Sequence, residues 1–211
     1  MNAGLASIAV EGRDVDVPLS PRGEVQARAL GRWFAAEPAS SRPEVVICSP
    51  YLRAQMTGEL IRRAGGLSLA EGQSFIADER LREKEFGMLD RLTTTGIAQL
   101  YPEQAEARRL LGKFYYRPPS GESWCDVILR LRSALDHICL HHGGRRVLVL
   151  THQVVVLCLR YLIENLSEET ILAIDREGDI ANCGITEYRF DPGVGPDGGL
   201  VRFKPTILLL R

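Results

Sequence analysis

The sequence predicts a three-layer α/β/α fold with a mostly parallel sheet, helices on both faces and a small helical lid insertion. Three observations point there. Val45-Val46-Ile47-Cys48 and Val147-Leu148-Val149-Leu150 are short apolar runs without polar alternation, the pattern of strands covered on both faces. Each is flanked by segments of helical periodicity, and strands alternating with helices build parallel sheets. The chain has 211 residues, 45% of them hydrophobic, which suits one domain over 1–211 with an insertion at about 93–120.

The elements follow in order. Ser20-Pro21 reads as an N-cap and a first-turn proline, and Val25, Ala29, Leu30 and Trp33 then recur at helical spacing to about residue 36. A loop over 38–43 precedes the first strand. Ser49-Pro50 opens the next helix, which carries Leu52, Met56, Leu60 and Ile61 and stops at Gly65-Gly66. Residues 93–120 break the rhythm, and their polar, helical character predicts a lid lying over the sheet. A helix over 126–140 places Val127, Leu131, Leu135 and Ile138 on one face and is broken by Gly143-Gly144. After the second strand, Thr151-His152 leads into a helix over 154–163 that is apolar nearly all round and therefore buried. Residues 185–190 and 200–204 read as an antiparallel hairpin at a sheet edge.

Composition excludes several classes. With 26 basic and 27 acidic residues the net charge is −1, so no electrostatic footprint for nucleic acid is expected. No stretch approaches the roughly 20 apolar residues of a membrane span, and no secretory signal pattern opens the chain. Five scattered cysteines form no C-x-x-C pair, which argues against a disulfide framework and predicts a reducing cytoplasmic location. His137 and His141 stand i, i+4, but no carboxylate or cysteine stands at ligand spacing beside them, so no metal site is expected.

Open parallel sheets bind ligands beyond the carboxyl ends of their strands, where helix N-termini point free N–H groups outward. Two such junctions carry a charged or titratable group: Arg53 in the opening turn after the first strand, and His152 directly after the second. Alone, the arginine would be a solvated charge and the histidine a structural group. Together they describe an anion site with phosphate as its guest. A third group is a glutamate in the stretch Leu81-Arg82-Glu83, followed by Phe86-Gly87, suited to general acid work if burial raises its pKa. Spacing alone does not separate Glu83 from Glu85.

These residues resemble a known family. Ser49-Pro50-Tyr51-Leu52-Arg53-Ala54-x-x-Thr57 resembles the S-P-x-x-R-A-x-x-T signature of the histidine phosphatase superfamily, the phosphoglycerate-mutase-like proteins. Asp16-Val17-Pro18-Leu19-Ser20-Pro21-Arg22-Gly23 is similar to its D-x-P-L-[ST]-x-x-G segment. Arg80-Leu81-Arg82-Glu83-x-x-Phe86-Gly87 resembles its R-L-x-E-x-x-[FY]-G box, which points to Glu83. Gly121-Glu122-Ser123-Trp124 is similar to its G-G-E-S-W stretch, with serine replacing the first glycine, and 147–152 resembles its apolar strand ending in [ST]-H. The matches keep family order over about 13–190.

The resemblance implies phosphomonoester hydrolysis, or phosphoryl transfer between hydroxyls of a sugar acid, through a phosphohistidine and without metal or cofactor. It implies that Arg53 and His152 clamp the phosphoryl oxygens of a small phosphorylated substrate and that Glu83 protonates the leaving oxygen. A looser analogy sets Arg13 at the pocket entrance and brings Arg117 down from the lid. The family's nucleophile lies in an Arg-His-Gly motif that is absent from these 211 residues. The expectation is therefore a truncated form of an active phosphatase, inactive as it stands; the alternative is a pseudoenzyme that binds phosphate esters without turnover. Losing a strand from mid-sheet would leave backbone groups unpaired, which favours truncation. Leu5-Ala6-Ser7-Ile8-Ala9-Val10 is a second candidate for that gap. The oligomeric state is open, since the apolar tail over 207–210 suits either a buried strand or a subunit contact.

Overall fold

The computed structural model describes residues 7, 12–69, 75–194 and 198–203. After a single 3-10 turn at Asp14–Asp16, helix α1 (Pro21–Ala36) leads to strand β1 (Val45–Cys48) and helix α2 (Leu52–Arg63). A two-residue strand β2 (Ile76–Ala77) precedes a loop rich in charge. Helices α3 (Thr94–Leu100), α4 (Pro102–Tyr115) and α5 (Trp124–His142) follow, then β3 (Val147–Leu150), α6 (Gln153–Ile163) and α7 (Glu168–Glu177). The chain ends its described part in β4 (Glu187–Asp191) and β5 (Gly199–Phe203).

Local chemistry accounts for the boundaries. Ser20 caps α1 by accepting from Gly23 N, with Pro21 in the first turn where its missing N–H costs nothing. Ser123 and Asp126 form a reciprocal capping box at the start of α5. Helix α2 begins at Leu52 with Tyr51 as its N-cap, two residues beyond the expected Ser49-Pro50 start. Arg53 stays in the first turn.

The three described strands of the main sheet run parallel in the order β2-β1-β3. All four residues of β1 are 1% exposed because alternate side chains serve two cores. Val45 and Ile47 join Leu131 of α5, Val155 and Leu157 of α6 and Ile171 of α7 on one face. Val46 and Cys48 meet Leu30 and Phe34 of α1 and Ile61 of α2 on the other. The fold is thus α/β/α in three layers. The expected antiparallel hairpin forms from β4 and β5, and among the described residues these two strands pair only with each other, as a two-stranded sheet beside the parallel one. Phe190 and Leu200 on one face of this hairpin and Val201 on the other are exposed.

Residue 7 is the one position of 5–10 that is described, and it forms an isolated antiparallel bridge to Leu92, away from the parallel strands. The rest of that segment, and the tail over 207–210, lie outside the described residues. Among the described residues, no helix is long and apolar enough to cross a membrane. All five cysteines are free.

Helices α1 and α2 approach closely through Gly31. A Cβ there would stand 2.7 Å from Ala64 Cβ and 2.9 Å from Ile61 Cα. Overpacking of this kind costs about 1–3 kcal/mol, more than the under ~1 kcal/mol that alanine gains over glycine in a helix. Gly31→Ala is therefore expected to lower stability in urea unfolding by on the order of 1 kcal/mol. A stabilised variant would mean that the two helices pack less tightly.

Candidate active site

Three loops leave the carboxyl ends of three neighbouring parallel strands, and the sheet register sets them side by side. Cys48 pairs with Ala77 on one side and with Leu150 on the other. The Ser49–Arg53 segment, the loop carrying Glu83 and the Thr151-His152 pair therefore emerge at one level. Ladder bonds continue into the loops, from Ser49 N to Leu150 O (2.9 Å) and from Asp78 N to Cys48 O (3.0 Å).

Tyr51 is the surface on which the groups meet. The Arg53 guanidinium carbon lies 4.7 Å from the centre of the Tyr51 ring. The His152 ring packs edge-on against the same ring at 4.9 Å. Arg53 and His152, 99 positions apart in sequence, thus flank one buried aromatic side chain. His152 is 9% exposed, and its Nε2 shares a 2.7 Å hydrogen bond with Ser49 Oγ, which is fully buried. Burial, and then the positive charge of Arg53, push the His152 pKa down to about 3, so the imidazole is neutral.

Glu83 lies near enough to this group for the Arg53 charge to act on it. Burial raises its pKa, against opposing effects from the Lys84 N–H and the Arg53 charge. Lys84 N donates to Glu83 Oε1 at 2.8 Å. Glu85 is different in kind: its side chain is 47% exposed and accepts from Tyr51 Oη at 3.3 Å. Thr151 Oγ1 donates to Leu81 O at 2.8 Å, tying the end of β3 to the Glu83 loop.

A buried ion network braces that loop from below. Glu122 accepts from Arg82 Nη2 (2.6 Å), from Arg130 Nε (2.9 Å) and Nη2 (3.1 Å), and from the Glu85 main-chain N–H (3.1 Å). Arg130 also donates to the carbonyls of Arg80 and Glu83. The loop is further zipped to 118–122 by Met88 N to Pro119 O (3.0 Å) and Glu122 N to Glu85 O (2.9 Å). Gly87 makes this approach feasible: its φ is +56°, and a Cβ there would strike Pro119 O.

The structure leaves two of the expected residues outside the group on Tyr51. Arg13 is 79% exposed and paired with Asp16 at 2.8 Å. Arg117 is 62% exposed and bonded to Asp126 Oδ2 at 2.7 Å, at the N-terminus of α5. Sequence reasoning missed Tyr51 and Ser49 as participants, although both stand inside the motif around Arg53. It also missed Asp14, Glu122 and Arg130, for which only the G-E-S-W motif gave a signal. Among the described residues no group of three or more His, Cys, Asp or Glu side chains is placed to hold a metal ion.

These strand-end loops belong to a recognised class. A sequence model of the histidine phosphatase superfamily (branch 1) matches residues 6–196, and the chain belongs to that superfamily. It is 31% identical to 2,3-bisphosphoglycerate-dependent phosphoglycerate mutase 2 of Gloeobacter violaceus, over 77% of this chain and 71% of the relative. It is 32% identical to the 6-phosphofructo-2-kinase/fructose-2,6-bisphosphatase of Caenorhabditis elegans over 68% of this chain, but spans only 28% of that relative's length. Among solved structures, Bacillus stearothermophilus YhfR superposes with a TM-score of 0.70 at 26% identity, covering 89% of this chain and 84% of that one. The mycobacterial glucosyl-3-phosphoglycerate phosphatase complexed with inorganic phosphate has the same fold, with a TM-score of 0.70 at 21% identity over 94% and 91% of the two chains. The two sequence relatives are a mutase and a kinase/bisphosphatase, so the chemistry of the family is phosphoryl transfer.

Proposed function

We propose that this protein is a phosphomonoester hydrolase acting through a phosphohistidine, with Arg53 and His152 holding the phosphoryl oxygens and Glu83 protonating the leaving oxygen. The observation that carries the reading is the convergence of Arg53 and His152 on Tyr51, with Glu83 close enough to feel the Arg53 charge. The planar guanidinium suits two phosphoryl oxygens at once. A phosphoryl dianion beside His152 supplies the opposite charge that favours its protonated form, so the imidazole donates to a third oxygen. Burial keeps Glu83 protonated to higher pH than an ordinary carboxyl, as a general acid requires. Transfer to a second hydroxyl of a sugar acid, the mutase outcome, differs only in the acceptor.

Helices α3 and α4 form the lid of this reading, over a single working domain. Arg13 and Arg117 join the substrate only by leaving Asp16 and Asp126. Five free cysteines support a cytoplasmic setting.

Of the four histidines in these residues, His137, His141 and His142 all stand in the last turns of α5, before β3 begins, and only His152 follows a strand. The reading therefore takes the nucleophile to be the histidine of an Arg-His-Gly motif, which does not occur among these 211 residues. Strand β3 supports a further strand beside it: it is the outer strand of the described sheet, and its first three apolar residues are half-buried where those of β1 are fully buried. A second reading, binding of phosphate esters without turnover, is favoured by a clamp that is complete without the nucleophile.

Hydrolysis of p-nitrophenyl phosphate tests these readings. The 211-residue chain is expected to be inactive. A form extended at its N-terminus by a strand ending in Arg-His-Gly is expected to be active, and to lose that activity on Arg53→Ala or His152→Ala. Turnover by the unextended chain would refute the missing nucleophile. A folded but inactive extended form would favour binding without turnover.

A further inference from the structure

The clamp is already occupied from within. Asp14 Oδ1 and Oδ2 accept from Arg53 Nη1 and Nη2 at 3.0 and 3.1 Å, and the Asp14 main-chain carbonyl accepts from Nη1 at 2.8 Å. These are the two guanidinium nitrogens that a phosphoryl group would grip, engaged in the same fork geometry. Ser49 Oγ holds His152 Nε2 at 2.7 Å. Each polar group of the clamp thus has a protein partner of its own. Asp14 sits in a single 3-10 turn, and its side chain is 42% exposed, so it is free to leave as an anion arrives.

We propose that Asp14 is an autoinhibitory ligand of the clamp, a tethered carboxylate that closes Arg53 until an incoming phosphate displaces it. The inference rests on Arg53 being the phosphoryl clamp. Because the carboxylate is tethered, it competes at a constant effective concentration and weakens every anion by the same factor, the fraction of molecules in which Arg53 is open. Free inorganic phosphate, with no contacts beyond the clamp, is held off at concentrations where an ester with further contacts still binds. After displacement, the turn at Asp14–Asp16 loses its anchor on α2.

Calorimetric titration of the 211-residue chain with inorganic phosphate tests this directly. Asp14→Asn keeps the side-chain shape and removes the charge, and is expected to bind phosphate about fivefold more tightly than the parent, as loss of a half-exposed bidentate pair implies. Glu24→Gln removes one negative charge from the first turn of α1, where it pairs with Arg28 and makes no bond to Arg53, and is expected to leave the affinity unchanged. Asp14→Ala provides a second variant if the asparagine form folds poorly. Amide exchange on the parent chain adds a readout without mutation: phosphate is expected to speed exchange at Asp16 and Val17, whose N–H groups close the turn onto Arg13 and Asp14 carbonyls. Equal phosphate affinity in parent and Asp14 variants, with binding abolished by Arg53→Ala, would overturn the role of Asp14 and leave the clamp standing. Failure of every variant to bind phosphate would overturn the clamp itself, and the role of Asp14 with it.

Discussion

Glu122→Ala is expected to lower the stability of the fold by roughly 3–5 kcal/mol, because it removes the one carboxylate that joins two arginines beneath the Glu83 loop. Arg130 and Glu122 are 11% and 12% exposed, so water cannot take over the lost contacts. The damage comes less from the missing attraction than from the Arg130 charge left buried without a counter-charge, held only by the Arg80 and Glu83 carbonyls. Urea unfolding of Glu122→Ala, Arg130→Met and the double variant measures this. In the Arg130→Met background the same alanine substitution should cost far less, since no buried charge is then orphaned. Equal costs in both backgrounds would show that Glu122 acts on its own. The network also supports chemistry: Arg130 holds the Arg80 and Glu83 carbonyls, so the loop that carries the proton donor loses its brace together with the ion pair.

Acidification is expected to destabilise the protein steeply, with His152 as the main cause. An unfolded chain protonates this imidazole near 6.5, whereas the folded one resists until about 3 because burial and Arg53 disfavour the cation. Between those values the unfolded state binds more protons than the native state, so stability rises with pH across the window and is lost as pH falls. The loss is on the order of 4 kcal/mol at the acid end. His142, whose pKa is lowered by burial and by the neighbouring His137, contributes a slope of the same sign. Urea unfolding of parent and His152→Gln, from about pH 7 to about pH 4, separates the two contributions. The variant should show a much flatter dependence; an unchanged slope would place the titrating group elsewhere. Glu83 acts in the opposite sense, since a carboxyl with a raised pKa loses its contribution as pH rises through that value.

Much of the fold is legible because it is local. The four-residue runs at β1 and β3 match their strands residue for residue, since an apolar run too short for a helix suits a strand with helices packed on its faces. Ser20-Pro21 marks the start of α1, because a hydroxyl and a proline at those positions satisfy or remove orphan N–H groups. Strand β2 was not legible: two residues, both exposed, leave no periodic trace. The hairpin is legible as a hairpin, but which sheet it joins is not, as alternation records a solvated face and not the neighbour beyond it; among the described residues its strands pair only with each other.

The site divides the same way. Arg53 and His152 could be singled out because each follows an apolar strand, and the motif around Glu83 chose it over Glu85. What separates those two glutamates physically is burial, one withdrawn from water within reach of the Arg53 charge and the other half in solvent against Tyr51 Oη. Asp14 gave no signal, since its partner lies 39 positions away and any exposed aspartate looks alike in sequence.

The sequence by itself determined which segments are strands and helices and which residue types stand at the strand ends, because those choices depend on neighbours a few positions apart. Only the tertiary structure decided the partners: Arg53 with Asp14, His152 with Ser49, Glu122 with Arg82 and Arg130. Charge pairing depends on the register of strands far apart in the chain and on how much water is excluded when they meet, and neither quantity exists before the sheet is assembled.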